Sequence, residues 1–184
     1  ALSLYAIDFA FSRVVERYAL LSVLLQENPP PEDGSSVIAM GWDMLDWCEK
    51  LRRLLQKGKG LKKGEAWYQR LVRKIARIAE VRGFIQHLDR EFDNCTKNKL
   101  PLFGYMTARA MLPPDNGWSI VISAPAGHDV EQMRPQHDHI WIKMDDPFTP
   151  PVDQVIMYFG RHRLNLSILN KIITAGHEEF CTYV

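Results

Sequence analysis

The chain has 184 residues, 46% of them hydrophobic and 24% charged, with a formal net charge of +1. These proportions exclude a disordered or membrane-embedded protein, and the length suits one domain, or one domain with an extension, with a substantial core. Cys48, Cys95 and Cys181 are widely spaced and form no Cys-x-x-Cys pair, so neither a disulfide framework nor a cysteine-rich zinc site is indicated, and a reducing, cytoplasmic setting is expected.

The first predicted element runs from Leu2 to Leu25. Ile7, Phe11, Val14, Tyr18, Leu21 and Leu25 alternate spacings of four and three, which makes one apolar stripe of a helix. Phe9, Val15, Leu20 and Leu24 carry apolar character to other faces, so a central helix with more than one neighbour is expected. Asp8, Arg13, Glu16 and Arg17 interrupt the run and argue against a membrane span. The prolines at 29–31 should stop the helix.

A second helix is predicted from about Val37 to Gln56, with Met44, Cys48, Leu51 and Leu55 on one face. The glycine- and lysine-rich stretch from Lys57 to Gly64 ends it in a basic loop. A third helix is predicted from about Glu65 to Asp93, its stripe formed by Trp67, Leu71, Ile75, Ile78, Ile85, Leu88 and Phe92. Arg82 and Asp89 fall on that stripe, so Arg82 must be paired or face an opening or interface.

Beyond Pro101 the pattern changes. Tyr105 to Leu112, Trp118 to Ala124 and His139 to Met144 are β-like segments separated by turn-rich stretches, and they suggest a small antiparallel meander. Residues 152–159 suit either a strand or a helix; Thr149-Pro-Pro-Val-Asp153 resembles a capped helix start and tilts the reading to helix. Leu166, Leu169, Ile172 and Ile173 support a last helix stopped near Gly176. The expected fold is α+β, mainly α: an antiparallel helical bundle over residues 1–100, with the meander and a C-terminal helix of residues 101–184 packed on it as one unit.

Two features carry chemistry. Between Lys50 and Arg82 stand 12 Lys or Arg residues against Glu65 and Glu80, so this third holds +12 − 2 = +10. Lys57, Lys59, Lys62, Lys63, Arg70, Arg73, Lys74 and Arg77 are candidate phosphate contacts, with Trp67 and Tyr68 near enough in sequence to offer stacking surfaces, although Trp67 also suits the core. The alternative is a solvated face whose neutralising acids fold beside it. The glycines of this block match no P-loop or dinucleotide fingerprint.

The second feature is Val81-Arg82-Gly83-Phe84-Ile85-Gln86-His87. An imidazole can move a proton from or to a ribose or leaving oxygen while a guanidinium holds the phosphoryl oxygens, without a metal. Five residues apart on one helix, however, the two side chains are about 140° apart around the axis and roughly 7.5 Å apart along it. The segment resembles the HEPN superfamily, helical domains with an Arg-x4–6-His signature. That resemblance implies a metal-independent endoribonuclease of the toxin or defence type, with Arg82 stabilising the transition state and His87 as acid or base at a homodimer interface. Gly83 departs from the family pattern, which commonly has a polar residue after the Arg. The alternative is a noncatalytic helical interaction or regulatory protein that docks a protein partner.

No cofactor or membrane association is expected, and no metal ligand is assigned. A second Arg-x4-His match, Arg134 to His139, is interrupted by Pro135. His137 and His139 could offer two imidazoles from one side of a strand but need further ligands, no spacing selects His128, Asp129 or His162, and His177-Glu178-Glu179 lacks the second His of a helical zinc-protease motif.

Overall fold

The computed structural model describes residues 2–26, 34–87, 90, 93, 97, 104–112, 117–123, 147, 149, 151–160 and 162–184. Helix α1 spans Leu2–Leu24, α2 Ser35–Lys57, α3 Ala66–Ile75, α4 Ile78–Gln86 and α5 Leu166–Tyr183. Strands β1 (Tyr105–Leu112), β2 (Gly117–Ser123), β3 (Val152–Phe159) and β4 (His162–Asn165) form one antiparallel sheet in the order β2-β1-β3-β4. The fold is therefore α+β and mainly helical, with the sheet in the C-terminal half. Among the described residues no helix is long and apolar enough to cross a membrane.

The apolar stripe of α1 does what its spacing implies. Ile7, Phe11, Val14 and Leu21 are fully buried, and α1 packs against both α2 and α5. Tyr18 turns its hydroxyl to Ser167 Oγ at 2.8 Å, and the same oxygen accepts from the Val155 N–H at 2.9 Å. One serine thus ties α1, α5 and β3 together. Helix α2 buries Met44, Cys48, Leu51 and Leu55 as its periodicity requires. It approaches the sheet through Gly41, where an added Cβ would stand 2.7 Å from the Met106 methyl.

Three expectations need correction. The helix expected from Glu65 to Asp93 breaks at Ala76–Arg77 into α3 and α4. Buried residues run Trp67, Leu71, Ile75 at spacings of four and then Ile78, Val81, Phe84 at spacings of three. A straight helix advances only about 300° in three residues, so the second set drifts off the first. The chain re-aims instead: α3 packs on α5 and α2, α4 on α2. The Ile85 side chain and Leu88, Asp89 and Phe92 lie outside the described residues.

Second, residues 152–159 form strand β3, not a helix. This strand lies between β1 and β4 and is buried on both faces, so it shows none of the alternation that marks a half-exposed strand. Third, α5 does not stop at Gly176 but continues to Tyr183. Gly176 is a packing position, where a Cβ would stand 3.0 Å from both Leu71 methyls. The strand expected at 139–144, the loop prolines at 29–31 and the histidines at 128, 137 and 139 lie outside the described residues.

The helices cover the sheet face that carries Met106, Ala108, Ala110, Val155, Met157 and Phe159, which join the main core. The opposite face holds Tyr105, Ile156 and Tyr158, with the two tyrosine rings stacked at 4.5 Å. A register shift separates Thr107↔Ile156 from Arg109↔Asp153, and Gln154 within it has φ 47°. The extra residue returns Val152 to the helix-covered face and places Asp153 opposite Arg109 on the other.

Candidate nucleic-acid interface

The basic block occupies the end of α2, the loop that follows and α3. Lys57 ends α2, and Lys59, Lys62 and Lys63 are exposed along the loop. Gly60, with φ 91°, supplies the left-handed conformation this loop needs. Arg70, Arg73 and Lys74 are exposed on α3 beside the buried arc of Trp67, Leu71 and Ile75, and Arg77 is exposed in the turn that follows.

Among the described residues, folding neutralises only part of the block. Buried Glu49 accepts from Arg52 Nε and Arg53 Nε, each at 2.6 Å. The Arg52 hydrogen bond, reinforced by Arg53 against the opposing effect of burial, holds the Glu49 carboxyl below its ordinary value. Arg70 bonds Glu179 at 2.5 Å, and Arg82 bonds Asp46 of α2. Lys50, Lys57, Lys59, Lys62, Lys63, Arg73, Lys74 and Arg77 have no carboxylate within 4.0 Å among the described residues. Lys50 lies over the Trp47 ring at 4.1 Å, and Lys62 lies 5.8 Å from the Tyr183 centroid.

The aromatic neighbours do not contribute stacking surfaces. Trp67 is buried against Tyr68, Phe180 and Tyr183, and Tyr68 is buried with its hydroxyl donated to the Leu55 carbonyl at 3.1 Å. The cationic surface therefore gains no stacking platform from Trp67 or Tyr68.

Arg82 and His87 are not brought together within one copy. The Arg82 guanidinium turns to Asp46, half-buried between α4 and α2. His87 is exposed on the turn after α4, its N–H donating to the Phe84 carbonyl at 3.2 Å and its own carbonyl accepting from the Arg90 N–H at 2.9 Å. No hydrogen bond or ion pair joins the two side chains among the described residues.

The sequence does not single out the most deeply buried charge among the described residues. Arg109 is 1% exposed and bonds Asp153 through Nε at 2.8 Å and Nη2 at 2.7 Å, a bidentate pair completed by the Thr149 N–H on Asp153 at 2.8 Å. The only signal was an Arg inside a β-like run, which does not identify its partner 44 residues away. Comparison of the chain with protein-family models, curated proteins and solved structures found no match.

Proposed function

We propose that this chain binds RNA through the cationic surface formed by the loop after α2 and the exposed cations of α3 and the turn that follows it. The observation that carries the reading is that eight of the block's twelve cations have no carboxylate partner among the described residues, while their apolar neighbours are packed inward. An unneutralised cluster gains most from a polyanion, whose phosphates release counterions on contact. The resemblance of Arg82 to His87 to the HEPN superfamily favours RNA among polyanions.

Metal-independent ribonuclease activity is a second reading, favoured by the exposure of the His87 imidazole. Because Arg82 and His87 are not brought together within one copy, catalysis requires that a second copy supply the complementary group, as the family resemblance implies, and that Arg82 release Asp46. The test is anisotropy of labelled single-stranded RNA with the wild type and Arg73→Glu/Lys74→Glu/Arg77→Glu, followed by product analysis in EDTA. Binding lost in the triple variant supports the RNA reading. Equal binding by the variant, or stable association with an acidic protein and no RNA affinity, would replace it with the interaction-protein reading. Cleavage abolished in folded Arg82→Ala and His87→Ala would add the catalytic role.

A further inference from the structure

At the opposite edge of α5 from its N-cap, two side chains four residues apart share one face: His177 and Cys181. Helix α1 packs there and contributes Asp8. The His177 ring lies flat on Phe11, with centroids 4.9 Å apart and planes 11° apart, so the buried phenyl fixes its orientation. Its Nε2 stands 2.7 Å from Asp8 Oδ1. One donor atom each from Asp8, His177 and Cys181 lies within 4.8 Å of the other two.

We propose that Asp8, His177 and Cys181 form a binding site for a divalent zinc-class metal ion. The donors are a thiolate, an imidazole and a carboxylate, a set that selects zinc or cobalt over magnesium or calcium. Their charge also fits: thiolate and carboxylate together balance a dication, with the imidazole neutral. Ligand bonds of about 2.0–2.3 Å at tetrahedral angles place donor atoms roughly 3.3–3.8 Å apart. Asp8 and His177 need to separate slightly and Cys181 to close, and both Asp8 and Cys181 have freedom to do so: the Asp8 side chain is 47% exposed and Cys181 is exposed near the end of α5.

The remaining coordination position has space beside it. A cleft of about 440 Å³ adjoins the cluster, lined by Leu4, Tyr5, Asp8, Phe180, Cys181 and Val184. Three protein ligands with an open fourth position is the arrangement that leaves a metal accessible to water or a small ligand. On binding, the Cys181 thiol gives its proton to solvent and its sulfur lone pair to the metal. His177-x3-Cys181 is the sequence signal, and it lacks meaning until α1 brings Asp8 beside it.

The probe is cobalt(II), titrated into the chelator-treated full chain under a non-thiol reductant. The expected result is one ion per chain, a near-ultraviolet thiolate-to-cobalt band and strong tetrahedral visible bands, all displaced by zinc. Cys181→Ser abolishes the thiolate band, Asp8→Asn weakens binding by about tenfold or more, and Cys95→Ser leaves the spectrum unchanged. Both site variants replace exposed or half-exposed polar groups and are checked for native circular dichroism. A weak octahedral spectrum, a thiolate band that survives Cys181→Ser, or an unchanged affinity in Asp8→Asn would overturn the site.

Discussion

Arg109 in the sheet and the cations on α3 carry the same kind of charge under opposite conditions. Arg109 is enclosed, and the β3 bulge delivers a carboxylate to it in bidentate geometry. Arg73, Lys74 and Arg77 are exposed and have no carboxylate partner among the described residues. Where charge is enclosed by the fold, the fold supplies its counterion; on this surface the described residues supply none.

The largest expected effect comes from breaking the enclosed pair. Arg109→Met should cost about 3–5 kcal/mol in urea unfolding, because it leaves Asp153 buried and uncompensated. Arg109→Met/Asp153→Leu should recover most of that loss. A single-variant cost below about 1 kcal/mol, the range of exposed pairs, would remove the contrast.

The same contrast between enclosed and open positions applies to glycines. Gly160 opens the β3–β4 turn with φ 50°, and an added Cβ would stand 2.3 Å from the Phe84 ring, so Gly160→Ala should cost about 1–3 kcal/mol. Among the described residues, nothing lies within 4 Å of a Cβ added at Gly83 in α4. Gly83→Ala should therefore stabilise the chain by about 0.5–1 kcal/mol through helix propensity. Thermal unfolding of both variants tests the pair, and a stabilising Gly160→Ala would contradict the packing of α4 on the hairpin.

Glu49 lies between the two extremes, buried itself but bonded to more exposed arginines. Its folded-state pKa is lowered from 4.5, chiefly by the Arg52 hydrogen bond. Its contribution to stability is therefore fully present above the unfolded value and is lost as pH falls through the lower folded value. Glu49→Gln should destabilise the chain near neutrality and flatten the decline of stability below pH 4.5. Parallel acid limbs in the two proteins would show that Glu49 does not contribute there.

How much of this was legible in the sequence follows from how local each cause is. The stripes of α1 and α2 are set by spacing along one helix, and the burial of Ile7, Phe11, Met44 and Leu51 follows that spacing. Strands β1 and β2 stood out by composition. The break at Ala76–Arg77 was concealed because a helical wheel tolerates slow drift, and the shift from four- to three-residue spacing matters only once α3 and α4 meet different neighbours. Strand β3 was misread because enclosure on both faces erases alternation. At the candidate interface the cations were legible by position, whereas their lack of partners was not: Glu179 reaches Arg70 across 109 residues, and Asp46 reaches Arg82 across 36. Asp8 and His177 meet across 169 residues, a juxtaposition set only by the packing of α1 on α5.

The smallest expected effect on stability accompanies the largest on binding. Arg73→Glu/Lys74→Glu/Arg77→Glu should change unfolding free energy by no more than about 0.5 kcal/mol per site, since these side chains support no contact in the core. The most direct measurement is the salt dependence of single-stranded RNA affinity for this variant beside the wild type. For the wild type log K should fall linearly with log salt, with a slope of about −0.7 per phosphate neutralised, and the triple variant should bind more weakly with a slope shallower by about two units. Salt-independent binding, or identical slopes in the two proteins, would contradict the assignment of this surface to RNA.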